Sequence, residues 1–455
     1  MSETPMAPDG MMDAGHWLER TPYPDEVLLT AEQARARSAR WEREVASLSA
    51  LPDYPAAVSR EELARMLAAD RPPEGELFDA QGKAVDARFW RAQTEECALP
   101  EAGSGTVAAR FGFTVRRTDV RRFPTARGVF YAGQEGRLDR LQETAWPVFE
   151  PLVILHRSLG GRFVYAQGRN YRGWVGANDV GETDRETFRA ELAALGAGRH
   201  ATVVEPTAEV RLGSGEVHAA EFAARLPLQD GSDGGWAKRA RGDANAGAGA
   251  AGRPPADRMA DIGVRWPVRD PAGRLQFVEG SVKRADARRG GLPCTRRSLV
   301  TQAFKLLGEP YGWGGAGGLH DCSSFVLDVY RSVGLDLPRN ADEQEAVPGV
   351  RAHRFDATDD ERSRISVLSG FRAGDVLFMP GHTMVLLGVR EGRAYVIHDY
   401  GGYAVADGSG AWTDVSVQAV GVMPLDFHLR DGRTYIEALT SAVAFTGDAR
   451  ETAAE

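Results

Sequence analysis

The sequence is poor in cysteine, and this shortage limits how the fold can be stabilised. Its 455 residues contain three cysteines, Cys97, Cys294 and Cys322. None lies in a CxxC pair or at a spacing from histidine that is typical of a metal site. A count this low is compatible with a reducing compartment without requiring one. We expect Cys97 and Cys294 to be buried free thiols, with a single bridge between them as the alternative. Neither a metal nor another cofactor is predicted.

Long apolar runs and an excess of basic residues are also missing. No run of 18 apolar residues occurs, so no membrane-spanning helix is predicted. The formal net charge of −9 provides no basic field for nucleic acid. The N-terminal residues MSETPMAPDGMMDAGHW lack the basic start and apolar core of a signal peptide. The sequence as given therefore favours a cytoplasmic monomer, and a periplasmic or envelope location would apply if the N-terminus had been trimmed.

The chain is long enough for several domains, and its patterns change along its length. Residues 1–107 have the patterns of a helical domain. Short β-like runs broken by Gly, Pro and Asp occupy 108–183 and 184–290, and each range is predicted to form a small barrel. The second range is interrupted near 230–258 by a Gly/Ala-rich stretch, which we expect to be flexible.

Residues 291–455 place helices before strands, the order of an α+β domain. Cys322 lies between a glycine-rich loop and an amphipathic helix. The apolar face of this helix comprises Phe325, Val326, Val329, Tyr330 and Val333. The aligned dipoles at a helix N-terminus stabilise an anion, so we expect a lowered pKa for the Cys322 thiol and alkylation at mildly acidic pH. No motif follows Arg430, and the last residues are expected to fray.

Two histidines follow the cysteine on apparent strands, His382 at the start of one and His398 within the next. A thiol on a helix tip with histidines on neighbouring strands is the layout of a papain-like nucleophile and base. Asp399 is a second candidate for the group that orients His382. Because side chains alternate along a strand, only one of His398 and Asp399 can serve. A zinc site formed by Cys322 and both histidines is disfavoured, since the separations match no zinc motif.

The residues around Cys322 resemble a known family. The order G-x-P-Y-x-W-G-G, D-C-S, L-P-R and a His-led strand is similar to the NlpC-type cysteine peptidases, over roughly residues 295–425. These enzymes cut the peptide stems of bacterial cell walls. The family usually has Gly where this chain has Ser324. Upstream, the Y-x-G-W-V signature that begins at Tyr171 resembles the bacterial SH3-like modules that accompany such peptidases.

The resemblance implies a multidomain protein with a helical N-terminal domain, two SH3-like β-barrels and a C-terminal α+β papain-like catalytic domain. The family precedent of a polar residue in the third triad position favours His398 over Asp399. Tyr311 matches a family tyrosine whose hydroxyl, with the backbone N–H of Cys322, would stabilise an oxyanion. Core packing is the alternative role for Tyr311. Arg339 and Gln344 are also family-like and are interpreted as structural.

The resemblance also implies a substrate. In relatives with SH3-like modules, the module covers the cleft and recognises a free N-terminal L-alanine. Tyr171 matches the tyrosine of the module signature, and Asp321 and Ser323 flank the nucleophile as in those relatives, which makes them candidates for binding the same amine. Glu143 is the candidate acidic partner from the module, with a plain surface charge as its alternative. The implied reaction is hydrolysis of peptidoglycan stem peptides by a γ-D-glutamyl-L-diamino acid endopeptidase, through a Cys-His-His triad and a thioester.

Two other functions remain open. An acyltransferase or amidase would use the same fold and triad on another amide. A cell-wall-binding protein without catalysis would rely on the SH3-like modules alone. In the hydrolase, a cytoplasmic location would imply recycling of imported wall peptides, and export would imply work on the wall itself.

Overall fold

The protein is described from a computed structural model. The described residues are 10–100, 104–134, 136–229, 261–407 and 410–448. The predicted flexible insertion near 230–258 and the chain end that was expected to fray lie outside these ranges. Within them, no helix is long and apolar enough to cross a membrane. All three cysteines are buried and free, as predicted for Cys97 and Cys294.

The described part of the N-terminal segment is mainly helical. Its helices are α1 (Ala14–Leu18), α2 (Ala31–Glu44), α3 (Arg60–Ala69) and α4 (Ala87–Glu96). A short strand β1 (Ala57–Ser59) pairs with β2 (Thr106–Ala108). Helix α2 begins at a capping box in which the side chains of Thr30 and Gln33 each bond the other's backbone N–H.

These helices do not enclose a core of their own. Trp17 and Trp41 are buried in one cluster with residues of the C-terminal sheet and its helices. Leu63 and Cys97 are buried with residues of the first β unit instead. The predicted helical segment therefore completes two neighbouring cores, and nothing in its local sequence pattern indicated these partners. Its boundary as a separate domain stays a prediction.

The first β unit is a seven-stranded antiparallel sheet with the order β5-β4-β8-β7-β6-β3-β9. Its strands are β3 (Arg110–Thr114), β4 (Thr118–Arg121), β5 (Gln142–Trp146), β6 (Pro151–Arg157), β7 (Phe163–Gln167), β8 (Arg172–Gly176) and β9 (Val180–Thr183). Its two faces pack into two clusters, one around Leu152 and Val164 and the other around Phe113 and Trp174. Helix α5 (Arg185–Gly196) follows, capped by Asp184.

The second β unit consists of a three-stranded and a four-stranded sheet around one core. The first contains β10 (His200–Val203), β13 (Arg225–Pro227) and β16 (Ala287–Arg289), and the second contains β11 (Thr207–Leu212), β12 (Val217–Glu221), β14 (Ile262–Arg269) and β15 (Leu275–Val282). Strands thus occupy both ranges in which barrels were predicted. The count of two SH3-like barrels stays a prediction.

The C-terminal unit packs helices on a six-stranded antiparallel sheet. The helices are α6 (Arg296–Lys305), α7 (Cys322–Ser332), α8 (Ala341–Glu345) and α9 (Glu361–Ser369). The sheet order is β17-β22-β18-β19-β20-β21. The strands are β17 (Val350–Arg354), β18 (Val376–Met379), β19 (His382–Arg390), β20 (Arg393–Ala406), β21 (Trp412–Pro424) and β22 (Ser441–Asp448). Helices precede strands as predicted, except that β17 comes before α9.

The C-terminal sheet includes a strand that the sequence did not reveal. No motif was found after Arg430, yet β22 pairs with both β17 and β18 inside the sheet. Val443 and Phe445 of this strand are fully buried. They pack in the same cluster as Phe325 and Val329 of α7, so the end of the chain supports the helix that carries Cys322.

Candidate active site

Cys322 is the first residue of α7, as the sequence predicted. Asp321 is the N-cap, and its Oδ1 accepts a hydrogen bond of 2.9 Å from the backbone N–H of Ser324. Ser324 Oγ in turn accepts a hydrogen bond of 2.8 Å from the backbone N–H of Asp321. Together they form a reciprocal capping box, so the serine that departs from the family pattern fixes the start of the helix.

The thiol of Cys322 lies beside the start of strand β19. The backbone N–H of Thr383, the residue that follows His382, favours the thiolate form of Cys322. The residue is 8% exposed. Burial, reinforced by the nearby Asp321 carboxylate, raises the pKa of the Cys322 thiol to about 12. The predicted lowering of this pKa is therefore wrong, because desolvation of the thiolate outweighs the helix dipole.

His382 and His398 contact each other on adjacent antiparallel strands. His382 Nε2 lies 2.8 Å from His398 Nδ1. The His398 ring is fully buried and stacks on Tyr400 with a centroid distance of 4.1 Å, which fixes its plane. Burial lowers the pKa of His382 to about 4 and that of His398 well below its ordinary value. Both rings are therefore neutral at neutral pH. When His382 Nε2 donates the shared proton, its Nδ1 is left as an acceptor.

Asp399 is fully buried and forms no hydrogen bond with either histidine. Both of its carboxylate oxygens lack a partner among the described residues. Burial raises the pKa of Asp399 to about 8. Of the two candidates for the group that orients His382, the structure brings His398 to that position and leaves Asp399 away from it.

Tyr311 is partly buried and lines the same cavity as Cys322. Burial and the proximity of Cys322 and Asp321 raise the pKa of its phenol, so the hydroxyl stays protonated and can donate a hydrogen bond. The backbone N–H of Tyr311 donates to the carbonyl of Gln418 over 2.9 Å, which ties this residue to β21.

Glu143 and Tyr171 of the first β unit meet above the nucleophile helix. The Tyr171 hydroxyl donates a hydrogen bond to Glu143 Oε2, and Arg122 Nε donates to Glu143 Oε1 over 2.5 Å. The side chain of Glu143 is 16% exposed. Glu143 is thus a mostly buried, bonded carboxylate at the wall of the cavity and not a plain surface charge.

Arg339 joins the nucleophile helix to the first β unit. Its guanidinium donates to Asp321 Oδ2 over 2.6 Å, to Ser323 Oγ over 2.7 Å and to Thr144 Oγ1 over 2.6 Å. Burial alone would raise the pKa of Asp321, but Arg339 and the cap bonds hold it below its ordinary value. Arg339, which the sequence analysis interpreted as structural, therefore bonds directly to Asp321 and Ser323, two of the predicted substrate-binding residues.

The glycine-rich loop before Cys322 docks against β5. Gln142 Nε2 donates to the Gly314 carbonyl over 3.0 Å, and Arg117 Nη2 donates to the Gly315 carbonyl over 2.5 Å. Gly314 has φ of 59°, and a Cβ there would lie 3.0 Å from the Gln142 carbonyl oxygen. Only glycine allows this approach, so the loop shape depends on contact with the β unit.

Six of the eight predicted site residues line one cavity of about 720 Å³ between the first β unit and the C-terminal unit. Its lining includes Cys322, Tyr311, Asp321, Ser323, Glu143 and Tyr171. His382 stands next to Gly381, which also lines it. Arg140 and Trp313 complete part of the wall, and no motif in the sequence had indicated Arg140. In the described part of the chain, no group of three or more His, Cys, Asp and Glu side chains is suited to a metal ion.

The raised pKa of Cys322 has a measurable consequence. Because only the thiolate reacts, the alkylation rate of Cys322 with iodoacetamide should rise about tenfold per pH unit between pH 6 and 9. The Cys322→Ala variant supplies the background from the other two buried thiols, Cys97 and Cys294, which is subtracted at each pH. A rate that stayed flat into mildly acidic pH would contradict the neutral thiol.

Comparison with known proteins finds similarity over two parts of the chain. Residues 308–418 match the NlpC/P60 family, and residues 127–176 match the SH3 domain of SH3b1 type. A probable endopeptidase of Corynebacterium glutamicum is 31% identical over 116 residues, which are 25% of this chain and 47% of that protein. The bifunctional muramidase/DL-endopeptidase CwlT of Bacillus subtilis is 28% identical over 148 residues, 31% of this chain and 40% of that protein. The match thus spans less than half the length of either relative.

A solved structure covers nearly the whole fold. The NlpC/P60 endopeptidase from Photobacterium damselae subsp. piscicida superposes with a TM-score of 0.70, over 96% of this chain and 97% of that chain, at 15% identity. The arrangement of helical segments, β units and C-terminal sheet is therefore shared with that protein. Residues 308–418 are thus similar to the NlpC/P60 family, and residues 127–176, which precede them, to the SH3 domain of SH3b1 type.

Proposed function

We propose that this protein is a cysteine endopeptidase that hydrolyses the γ-D-glutamyl–L-diamino acid bond of peptidoglycan stem peptides. The observation that carries the proposal is that one cavity is lined both by Cys322, at the start of a helix, and by the hydrogen-bonded side chains of Glu143 and Tyr171. His382, which is hydrogen-bonded to His398, directly follows Gly381 of the cavity lining. One relative in the comparison is named a DL-endopeptidase, which supports this substrate class.

In the first half of the reaction, His382 Nδ1 takes the proton from the Cys322 thiol while its Nε2 stays bonded to His398. The thiolate attacks the γ-carbonyl carbon of D-glutamate. The Tyr311 hydroxyl and the backbone N–H of Cys322 donate hydrogen bonds to the resulting oxyanion. The intermediate collapses as His382 returns its proton to the leaving amine, so the diamino-acid peptide departs and a thioester remains on Cys322.

In the second half, a water molecule attacks the thioester carbonyl. His382 accepts one proton from this water and delivers it to the departing Cys322 sulfur, which restores the thiol. The product is L-Ala-γ-D-Glu. Because the Cys322 thiol is neutral before and after the reaction, each half of the reaction needs a neutral His382 ring to accept a proton. The low pKa of this ring keeps it neutral at neutral pH.

The amine of an N-terminal L-alanine would bind where Glu143, Tyr171, Asp321 and Ser323 converge on the cavity. Both carboxylates have arginine partners, Glu143 with Arg122 and Asp321 with Arg339. Arg339 holds the pKa of Asp321 below its ordinary value. The oxygens of both carboxylates can accept hydrogen bonds from an ammonium group. This arrangement would favour stems that are already separated from their sugars.

The test compares two peptides. The protein and a Cys322→Ala control are incubated with L-Ala-γ-D-Glu-diaminopimelate and with its N-acetylated form, and products are followed by mass spectrometry. We expect cleavage of the free-amine peptide alone, abolished in Cys322→Ala. Cleavage of both peptides would overturn the amine subsite while retaining the endopeptidase.

Other outcomes would select the alternatives. Transfer of the acyl group to an added amine in place of water would identify an acyltransferase. No turnover of either peptide, with retained binding to wall polymer in Cys322→Ala, would identify a binding protein and overturn the proposal.

A further inference from the structure

The cavity contains one arginine without a carboxylate partner in the described part of the chain. Three arginines line it: Arg122, Arg140 and Arg339. Arg122 pairs with Glu143 at 2.5 Å and Arg339 with Asp321 at 2.6 Å. The guanidinium of Arg140 bonds instead to a neutral acceptor, with Nη2 donating to Gln134 Oε1 over 2.7 Å.

Two aromatic rings hold the Arg140 guanidinium in place. Its central carbon lies 4.7 Å from the centroid of the Tyr131 ring and 4.9 Å from that of the Trp313 ring. The first ring belongs to the β unit and the second to the glycine-rich loop before Cys322. Such contacts fix the plane of a cation without neutralising its charge. The Nε of Arg140 is buried and has no acceptor among the described residues.

A fixed, partly exposed and unpaired guanidinium suits a carboxylate ligand, because its N–H groups match the two oxygens of a carboxylate. The remaining carboxylates of the cavity lining, those of Glu74 and Asp342, are exposed and form no ion pair with Arg140 in the described structure. A carboxylate on a bound ligand would supply the charge that the described residues do not.

The proposed substrate carries such a group. A peptide bond through the γ-carboxyl of D-glutamate leaves the α-carboxylate of that residue free. This carboxylate branches between the N-terminal amine and the scissile carbonyl, so it reaches the wall between the amine-binding residues and Cys322. Arg140 lines the same cavity, three residues before Glu143, and contacts Trp313 of the loop that precedes Cys322.

We propose that Arg140 binds the free α-carboxylate of the γ-linked D-glutamate and makes the site selective for stems that carry this acid over stems that carry its amide. The inference rests on the proposed function and adds a specificity-determining residue to it.

The experiment pairs two substrates with four proteins. The substrates are L-Ala-γ-D-Glu-diaminopimelate and the same peptide with the glutamate α-carboxylate converted to a carboxamide. The proteins are wild type, Arg140→Gln, Arg140→Lys and Arg137→Gln, the last a matched loss of charge at an exposed position in the same segment. The measured quantity is kcat/KM for each combination.

We expect wild type to prefer the acid roughly tenfold to a hundredfold, the range of a charged hydrogen bond. Arg140→Gln should lose this preference by losing activity on the acid alone. Arg140→Lys should keep part of it, and Arg137→Gln all of it. Equal loss on both peptides in Arg140→Gln would overturn the proposal, because it would mean that Arg140 only supports Trp313.

Failure of the proposed function is recognised separately, as no cleavage of either peptide by wild type. The carboxylate site is then tested by calorimetry of Cys322→Ala with L-Ala-γ-D-Glu and with its α-carboxamide. Tighter binding of the acid that disappears on adding Arg140→Gln would support the site. Equal affinities of the two ligands would overturn it.

Discussion

Replacing His382 by Gln is expected to lower kcat/KM by a factor on the order of 10²–10⁴, the usual contribution of a general base. The reason lies in the resting state of the nucleophile. Burial raises the pKa of the Cys322 thiol to about 12, so at pH 7 a fraction on the order of 10⁻⁵ would be thiolate without assistance. The neutral imidazole of His382 must therefore take the proton during attack. The measurement is steady-state hydrolysis of the free-amine stem peptide, with thermal unfolding to confirm that the variant is folded.

The neighbouring strand supplies a matched pair of controls. His398→Gln removes the ring that bonds His382 Nε2 and should cost activity, because His382 then loses the partner that fixes its tautomer. Asp399→Asn changes the next residue, which has no bond to either histidine, and should retain most activity. A larger loss in Asp399→Asn than in His398→Gln would contradict the assignment of His398.

The pH profile gives an independent check. Activity requires neutral His382, so it should fall as the pH drops through the lowered pKa of that ring, about 4, and not near the ordinary value of about 6.5. A half-maximal point near pH 6.5 would show that His382 is more exposed to water during catalysis than in the resting site.

The sequence was most informative where the chemistry depends on local order. The helix that starts at Cys322 and the alternation that separates His398 from Asp399 follow from spacings of a few residues. These features are set by short-range geometry that a single stretch of chain carries with it. Their positions could therefore be predicted without knowing what lies around them.

The surroundings of each site residue were less predictable, because they are formed by parts of the chain that are distant in sequence. The helix dipole suggested a reactive thiolate at Cys322, but residues from several elements bury that thiol and reverse the direction of its pKa. Strand β22 has no motif, yet it completes the sheet through pairings with β17 and β18. Likewise, the partners of Arg140 became evident only once the β unit and the glycine-rich loop were in contact.

Replacing Arg339 by Met is expected to destabilise the fold by about 3–5 kcal/mol, the usual result of removing one partner from a buried ion pair. Arg339 is 4% exposed and its loss leaves the Asp321 carboxylate buried without its 2.6 Å partner. The bond to Thr144 that joins the two units is lost at the same time. Urea unfolding at pH 7 measures the change, and kcat/KM on the free-amine peptide should fall because Asp321 and Ser323 are no longer held.

The charge and packing contributions of Arg339 can be separated with Asp321→Asn, because asparagine is also a good N-cap and keeps the start of α7. If the uncompensated charge dominates, the Asp321→Asn/Arg339→Met double variant should be more stable than Arg339→Met alone.

Acid should also reduce the stability difference between Arg339→Met and wild type. In wild type, Arg339 holds the pKa of Asp321 below its ordinary value, so the stability this pair contributes is present above about pH 4 and is lost as the pH falls through the lowered pKa. In Arg339→Met, burial without the guanidinium raises that pKa, so protonation relieves the variant first and the gap to wild type narrows below about pH 5. A gap that is equal at pH 7 and pH 4 would instead assign the loss to packing and to the bond with Thr144.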